Sequence, residues 1–278
     1  MKPAKATETI GDLISNLAIQ VGEINVVVIG DMPMIYNAMS TKTLGALLDP
    51  PPSRKSAAGK AAGKKHNPIE EYRNSMYKFR DGDGDKPTRL YFPTGAFKKA
   101  IQTAALDLPG VKKAQVGRLC WITEDKVPVY GVPQVLISGV RMADIAHTPD
   151  ARVRAILSQW CCQFRIRSAH PILKGAEVLK LLMAAGITIG IGDWRQEKGS
   201  GSYGQFHVAD PKNADFLRIM KSGGRAAQDK AILEPAFYDD QTEELWSDYY
   251  TRLAKDQKAA SVLVPPAGSN GPEAPLQS

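Results

Sequence analysis

The residues best suited to chemistry or binding are concentrated in one segment, 186–206, GITIGIGDWRQEKGSGSYGQF. It holds Gly186, Gly190, Gly192, Gly199, Gly201 and Gly204, with Trp194, Arg195, Lys198 and Tyr203 among them. Closely spaced glycines let a backbone approach a phosphate and present its N–H groups. The two cations add charge, and the two aromatic rings suit stacking on bases. Glycine, cation and aromatic in so short a run fit a loop that grips nucleic acid. No GK[ST] closes it, so it is not a Walker loop. Its glycines follow a helical pattern instead of linking a strand to a helix, so it is not a dinucleotide fingerprint. A long structural hairpin with Trp194 in the core remains the plain alternative.

Outside this loop the candidates are fewer. Asp31, in Ile29-Gly-Asp-Met-Pro33, is the one catalytic candidate: it either positions a metal or a water, or is a turn residue before Met-Pro. A nuclease would also need an acid for the leaving oxygen, and the sequence names none, since His66, His147, His170 and His207 are dispersed. Neither HExxH nor GxSxG occurs. Cys120, Cys161 and Cys162 form no CxxC pair and have no zinc spacing, so no metal or cofactor is expected and a reduced, cytoplasmic setting is. Asp81-Gly-Asp-Gly-Asp85 lacks the rest of a calcium loop and reads as a turn.

These residues must be held by regular elements. The run Ile24–Ile29, INVVVI, reads as a buried strand. Pro68–Phe79 and Thr94–Leu106 have helical spacing, as does Leu173–Ala185, and residues 8–20 suit a short helix. Lys98 and Lys99 would lie in the first turn of the helix at Thr94, unfavourable for its dipole unless an anion offsets them. Val116–Thr123, Val127–Val140, Ile187–Ile191 and Gln205–Val208 read as strands. Trp160–Ser168 alternates, placing Cys162, Phe164 and Ile166 on one face and Arg165 and Arg167 on the other. That arginine row either meets a nucleic-acid backbone or is a solvated face.

This order suits an α+β fold: an antiparallel sheet with helices on one face, ferredoxin-like, with insertions. Residues 50–67, PPPSRKSAAGKAAGKKHN, carry no large apolar side chain and read as a mobile basic insertion. Residues 1–210 read as the nucleic-acid-binding domain. Residues 211–278 read as a helical extension with a stripe of Leu245, Trp246, Tyr249, Tyr250 and Leu253 and a disordered end from 264.

The segment IGIGDWRQEKGSGSYGQF resembles the glycine-rich loop of the RAMP superfamily, the ferredoxin-like RNA-binding subunits of CRISPR effector complexes. In that family a hydrophobic-Gly-hydrophobic-Gly strand, a basic loop and a Gly-x-Gly precede the last core strand. Tyr91-Phe-Pro-Thr-Gly-Ala-Phe-Lys-Lys-Ala-Ile101 is similar to the family's strand-to-helix start near bound RNA, and INVVVIGDMPMIYNAMS is similar to its first strand and following loop. The resemblance covers about residues 23–210. Asp193 and Glu197 depart from a pure phosphate cradle. It implies RNA binding through Lys98, Lys99, Gly190, Gly192, Trp194, Arg195, Lys198, Gly199, Gly201 and Tyr203, with Asp31 standing where some relatives keep a catalytic aspartate.

The charge agrees with a polyanionic partner. The 278 residues carry 36 basic and 29 acidic side chains, net +7. Residues 1–209 hold 28 basic and 18 acidic side chains, and residues 210–278 hold 8 and 11, so the excess lies in the body. No apolar run is long enough to span a bilayer. The sequence thus points to single-stranded nucleic-acid binding, RNA before DNA, in a backbone-coating subunit that associates with itself or with other subunits. An endoribonuclease and a protein-interaction module are the competing readings.

Overall fold

The computed structural model describes residues 19–39, 44–45, 48, 66–141, 149–198 and 201–262. The expected helix over 8–20, most of the basic insertion, His147, Gly199 and the chain end from 264 lie outside the described residues, as does the side chain of Lys198.

β1 (Gln20–Gly30) forms where the INVVVI run was expected and is central. It is followed by the short β2 (Met34–Ile35) and then α1 (Pro68–Asn74). Pro68 suits the first helical position, and the Asn67 side chain accepts from the Glu70 N–H at 3.4 Å, which fixes the start of α1. β3 (Tyr91–Pro93) leads without a gap into α2 (Thr94–Ala104). α3 (Lys113–Leu119), β4 (Cys120–Ile122), β5 (Lys126–Tyr130), β6 (Pro133–Arg141), β7 (Pro149–Leu157) and β8 (Cys161–His170) follow. The chain continues through α4 (Gly175–Thr188), β9 (Phe206–Ala209), α5 (Ala214–Ser222), α6 (Arg225–Leu233), β10 (Ala236–Phe237) and α7 (Asp240–Val262).

The main sheet has the order β3-β5-β8-β1-β9, with β4 also paired to β8, and every pairing in it is antiparallel. Alternation along the strands divides its faces. Val26, Val28, Cys162, Phe164 and Ile166 point into one core with Phe97 and Ile101 of α2 and Val178 and Leu182 of α4. Each such aliphatic contributes about 1.5–3 kcal/mol by leaving water.

Four differences from the sequence expectation have physical causes. Helices do not occupy one face only: α5 lies on the other face, where Phe216 and Ile219 cover Val27, Ile29 and Cys161. A second sheet exists, β10-β6-β7-β2, in which β10 pairs with β6 in parallel. Its strand β7 escaped the hydrophobic pattern because Arg152 and Arg154 interrupt it, and Arg154 is buried. Residues 113–119 are helical instead of extended, a run too short for periodicity to decide. The strand expected at 187–191 is replaced by the last turn of α4 and its cap. Gly190, at φ +70°, donates its N–H to Ala185 O at 2.9 Å and ends the helix.

Beyond residue 210, α5 and α6 pack on this body. Gln228 of α6 is fully buried, accepts from the N–H groups of Arg89 and Leu90, and donates to the carbonyls of Val129, Gly131 and Gly223. No helix among the described residues is long and apolar enough to cross a membrane.

Candidate nucleic-acid interface

The glycine-rich loop joins α4 to β9, and its backbone is turned toward the protein. Ile191 N–H donates to Gly204 O at 3.0 Å, Asp193 N–H to Ile35 O at 3.0 Å and Gly204 N–H to Pro33 O at 2.8 Å. Those donors are therefore not offered to a phosphate. The glycines serve the same packing. A Cβ on Gly192 (φ +89°) would lie 2.7 Å from Ile35 O, and one on Gly204 (φ +72°) 1.7 Å from Ile191 O. One on Gly201 would lie 2.2 Å from Trp194 O.

The loop's side chains follow. Trp194 and Tyr203 pack, 6.2 Å apart between ring centres, against Ile35, Leu136 and Ile156 of the second sheet. Asp193 pairs with the buried Arg154, whose Nη2 also donates to Ser138 Oγ at 2.9 Å. Burial lowers the Arg154 pKa, and Asp193 opposes that shift. Arg195 is turned back on Glu197 at 2.7 Å and donates to Gly192 O at 3.4 Å. Asp193 and Glu197, the two residues that depart from a phosphate cradle, thus partner Arg154 of β7 and the loop's own Arg195.

Arg165 and Arg167 do alternate on the outer face of β8, half-exposed, and carboxylates hold both. Arg165 meets Glu124 at 3.0 Å, and Arg167 meets Glu23 at 2.6 Å. Pairs this exposed contribute little to stability, so a phosphate can compete for the guanidinium groups.

Lys98 and Lys99 stand apart from these pairs. They lie in the second turn of α2, one turn later than expected, and neither makes an ion pair among the described residues. The first turn of α2 holds no acidic residue, and its N-cap is Pro93, without a side-chain cap. Phe97, beside them, places its ring 6.2 Å from that of Phe206, where the glycine-rich loop enters β9. The unpaired lysines and the exit of the loop therefore belong to neighbouring elements.

Asp31 has a partner that the sequence did not reveal. β1 and β9 pair with Ile29 opposite His207, and His207 Nδ1 lies 2.6 Å from Asp31 Oδ1. Both side chains are about half-exposed, at 48% and 49%. The scaffold is fixed: Asp31 N–H donates to Gln205 O at 2.9 Å, and Trp160 Nε1 donates to Met32 O at 2.9 Å. Asp31 can orient the imidazole, leaving Nε2 for proton transfer. Among the described residues, no three His, Cys, Asp or Glu side chains form a group that could hold a metal ion. The cysteines are free and buried, and burial pushes the Cys161 thiol up to about 12 and Cys120 to about 11.

No protein-family model and no curated protein matches the chain. Among solved structures it is similar to a chain in the cryo-EM structure of the Type III-B Cmr-beta bound to cognate target RNA, at 14% identity and a TM-score of 0.34. The match covers 72% of this chain and 62% of that one, less than two thirds of the latter's length.

Proposed function

We propose that the protein binds single-stranded nucleic acid, RNA in preference to DNA, as a backbone-coating subunit of a larger assembly. The observation that carries this reading is the pair Lys98–Lys99: adjacent cations near the positive end of α2, with no carboxylate partner among the described residues and no acid in the first turn. A phosphate backbone supplies the missing anion. The excess of basic residues in 1–209 supports the same ligand. A ferredoxin-like unit is the matching reading of the fold, supported by the strand sequence β5-β8-β1-β9 in the main sheet with α2 and α4 on one side. The preference for RNA rests on the likeness of residues 23–210 to the RAMP pattern. Arg165 and Arg167 join the interface by exchanging Glu124 and Glu23 for phosphates. Lys198 and Arg195 contribute from the loop, while Gly190, Gly192, Gly201, Trp194 and Tyr203 shape it.

The test is fluorescence anisotropy of the full chain with labelled single-stranded RNA, single-stranded DNA and duplex DNA at low and moderate salt. Single-strand binding that weakens steeply with salt, strongest for RNA, is the expected result. No binding to any of the three overturns the reading.

One observation favours a second reading, an endoribonuclease: the Asp31–His207 pair at 2.6 Å. In it the imidazole removes the proton of a ribose 2′-hydroxyl, the 2′-oxygen attacks the adjacent phosphorus, and the 5′-oxygen leaves with a proton from water. The products are a 2′,3′-cyclic phosphate and a 5′-hydroxyl.

A further inference from the structure

Among the described residues, the face of the main sheet opposite α2 and α4 is covered by α5 only at one end, over Val27, Ile29 and Cys161. Strand register identifies what occupies the remainder. On β8 the outward residues beyond Cys161 include Gln163, Arg165 and Arg167, and Trp121 of β4 is opposite Arg167. On β3, Phe92 is opposite the buried Val127 and faces the core, so Tyr91 and its cross-strand partner Pro128 face outward, as does Lys126 opposite Pro93. Tyr91 and Trp121 are both partly buried. Lys126 is exposed, and its ammonium lies 5.0 Å from the centre of the Tyr91 ring. Phe79 backs that ring at 4.9 Å and Tyr77 flanks it at 5.8 Å, which limits its motion.

We propose that this uncovered outer face is a base-stacking surface for a single strand, with Tyr91 and Trp121 as its stacking rings and Lys126 as the cation beside them. The inference rests on the nucleic-acid reading above and states where bases lie. Two observations lead to it. Trp194 and Tyr203, the rings that the sequence offers for stacking, are packed against the second sheet. Tyr91 and Trp121, partly buried, lie on a face whose apolar patches alternate with cations, and accessible aromatic surface beside cations suits the π-face of any base. The face is close to electrically balanced, because Glu23 and Glu124 answer Arg167 and Arg165 and Asp125 lies next to Lys126. Its contribution is therefore stacking, which salt barely screens. The contribution of Lys98 and Lys99 is electrostatic and salt-dependent.

That contrast defines the experiment. The full chain and its variants are titrated with a labelled uridine oligonucleotide and with an abasic ribose-phosphate oligomer of equal length, at several salt concentrations. Tyr91→Leu and Trp121→Leu are each expected to weaken uridine binding about ten-fold, with the salt slope unchanged and abasic binding unchanged. Tyr91→Phe and Trp121→Phe keep wild-type affinity, which separates lost stacking from lost folding. Wild-type binding of uridine RNA that neither leucine substitution alters overturns the stacking surface and leaves the nucleic-acid reading intact. A loss that is equal for uridine and abasic oligomers also overturns it. A wild-type protein that binds neither oligomer overturns both.

Discussion

The guanidinium of Arg154 lies 4.6 Å from the centre of the Trp194 ring while the same group pairs with Asp193. One buried cation on β7 thus holds two successive residues of the glycine-rich loop. Arg154→Ala leaves Asp193 unpaired and Trp194 without its cation, and should cost about 2–4 kcal/mol of stability. Urea unfolding measures this. Trp194 fluorescence should shift to the red in native conditions, since the loop loses its hold on the second sheet.

The lysines of α2 are expected to act on affinity and not on stability. Lys98→Ala with Lys99→Ala should leave the melting temperature within a degree or two of wild type. The slope of log affinity against log salt for single-stranded RNA should fall by about 1.4, roughly 0.7 for each phosphate that the protein no longer neutralises. An unchanged slope would move the phosphate path away from α2.

Gly204 is tested by a single methyl group. At φ +72°, with a Cβ that would lie 1.7 Å from Ile191 O, alanine meets both backbone strain and a clash. Gly204→Ala should lose at least about 1–3 kcal/mol from the strained conformation alone. Gly95→Ala has nothing within 4 Å and is the matched control. Thermal unfolding of the two variants side by side makes the comparison.

Glu124 links the outer face to pH. Desolvation, the largest single influence, raises its pKa, but the hydrogen bonds that it accepts from the Arg165 side chain and backbone help bring it below the ordinary carboxylate value. A carboxylate with a depressed folded pKa stabilises the protein above its unfolded value, and that contribution is lost as pH falls through the folded one. Wild type should therefore lose stability relative to Glu124→Gln as pH drops below about 4.5. Parallel curves for the two proteins between about pH 6 and pH 3 would show that the carboxylate contributes nothing.

The Asp31–His207 pair separates the two functional readings. Under the binding reading, 5′-labelled RNA stays intact over hours with or without magnesium. Formation of 2′,3′-cyclic phosphate ends that disappears in both His207→Ala and Asp31→Asn would establish the nuclease instead.

Local patterns and long-range pairings were not equally legible. β1 and α2 follow from apolar periodicity, because INVVVI has no polar face and Phe97, Ile101 and Ala104 repeat at helical spacing. The alternation of β8 correctly divides Cys162 and Phe164 from Arg165 and Arg167. What the sequence concealed depends on partners far away in the chain. His207 meets Asp31 only through the β1–β9 register, and Arg154 reads as a surface residue until Asp193 and Trp194 close over it. The glycines at 190, 192 and 204 were legible as special, but not for whom: the backbone they approach is the protein's own. The likeness to a strand at 187–191 failed because Ile189 and Ile191 are buried around a helix end, while Ile187 is exposed on its last turn.

The position of Gln228 has a consequence for how the chain is made. Its side chain completes backbone groups at residues 89, 90, 129 and 131, in and beside β3 and β5, which are synthesised 97 to 139 residues earlier. Until α6 leaves the ribosome, those groups beside β3 and β5 stay open to water. Those groups are satisfied only once α6 has been made, so this corner of the main sheet closes later in synthesis than the strands that form it.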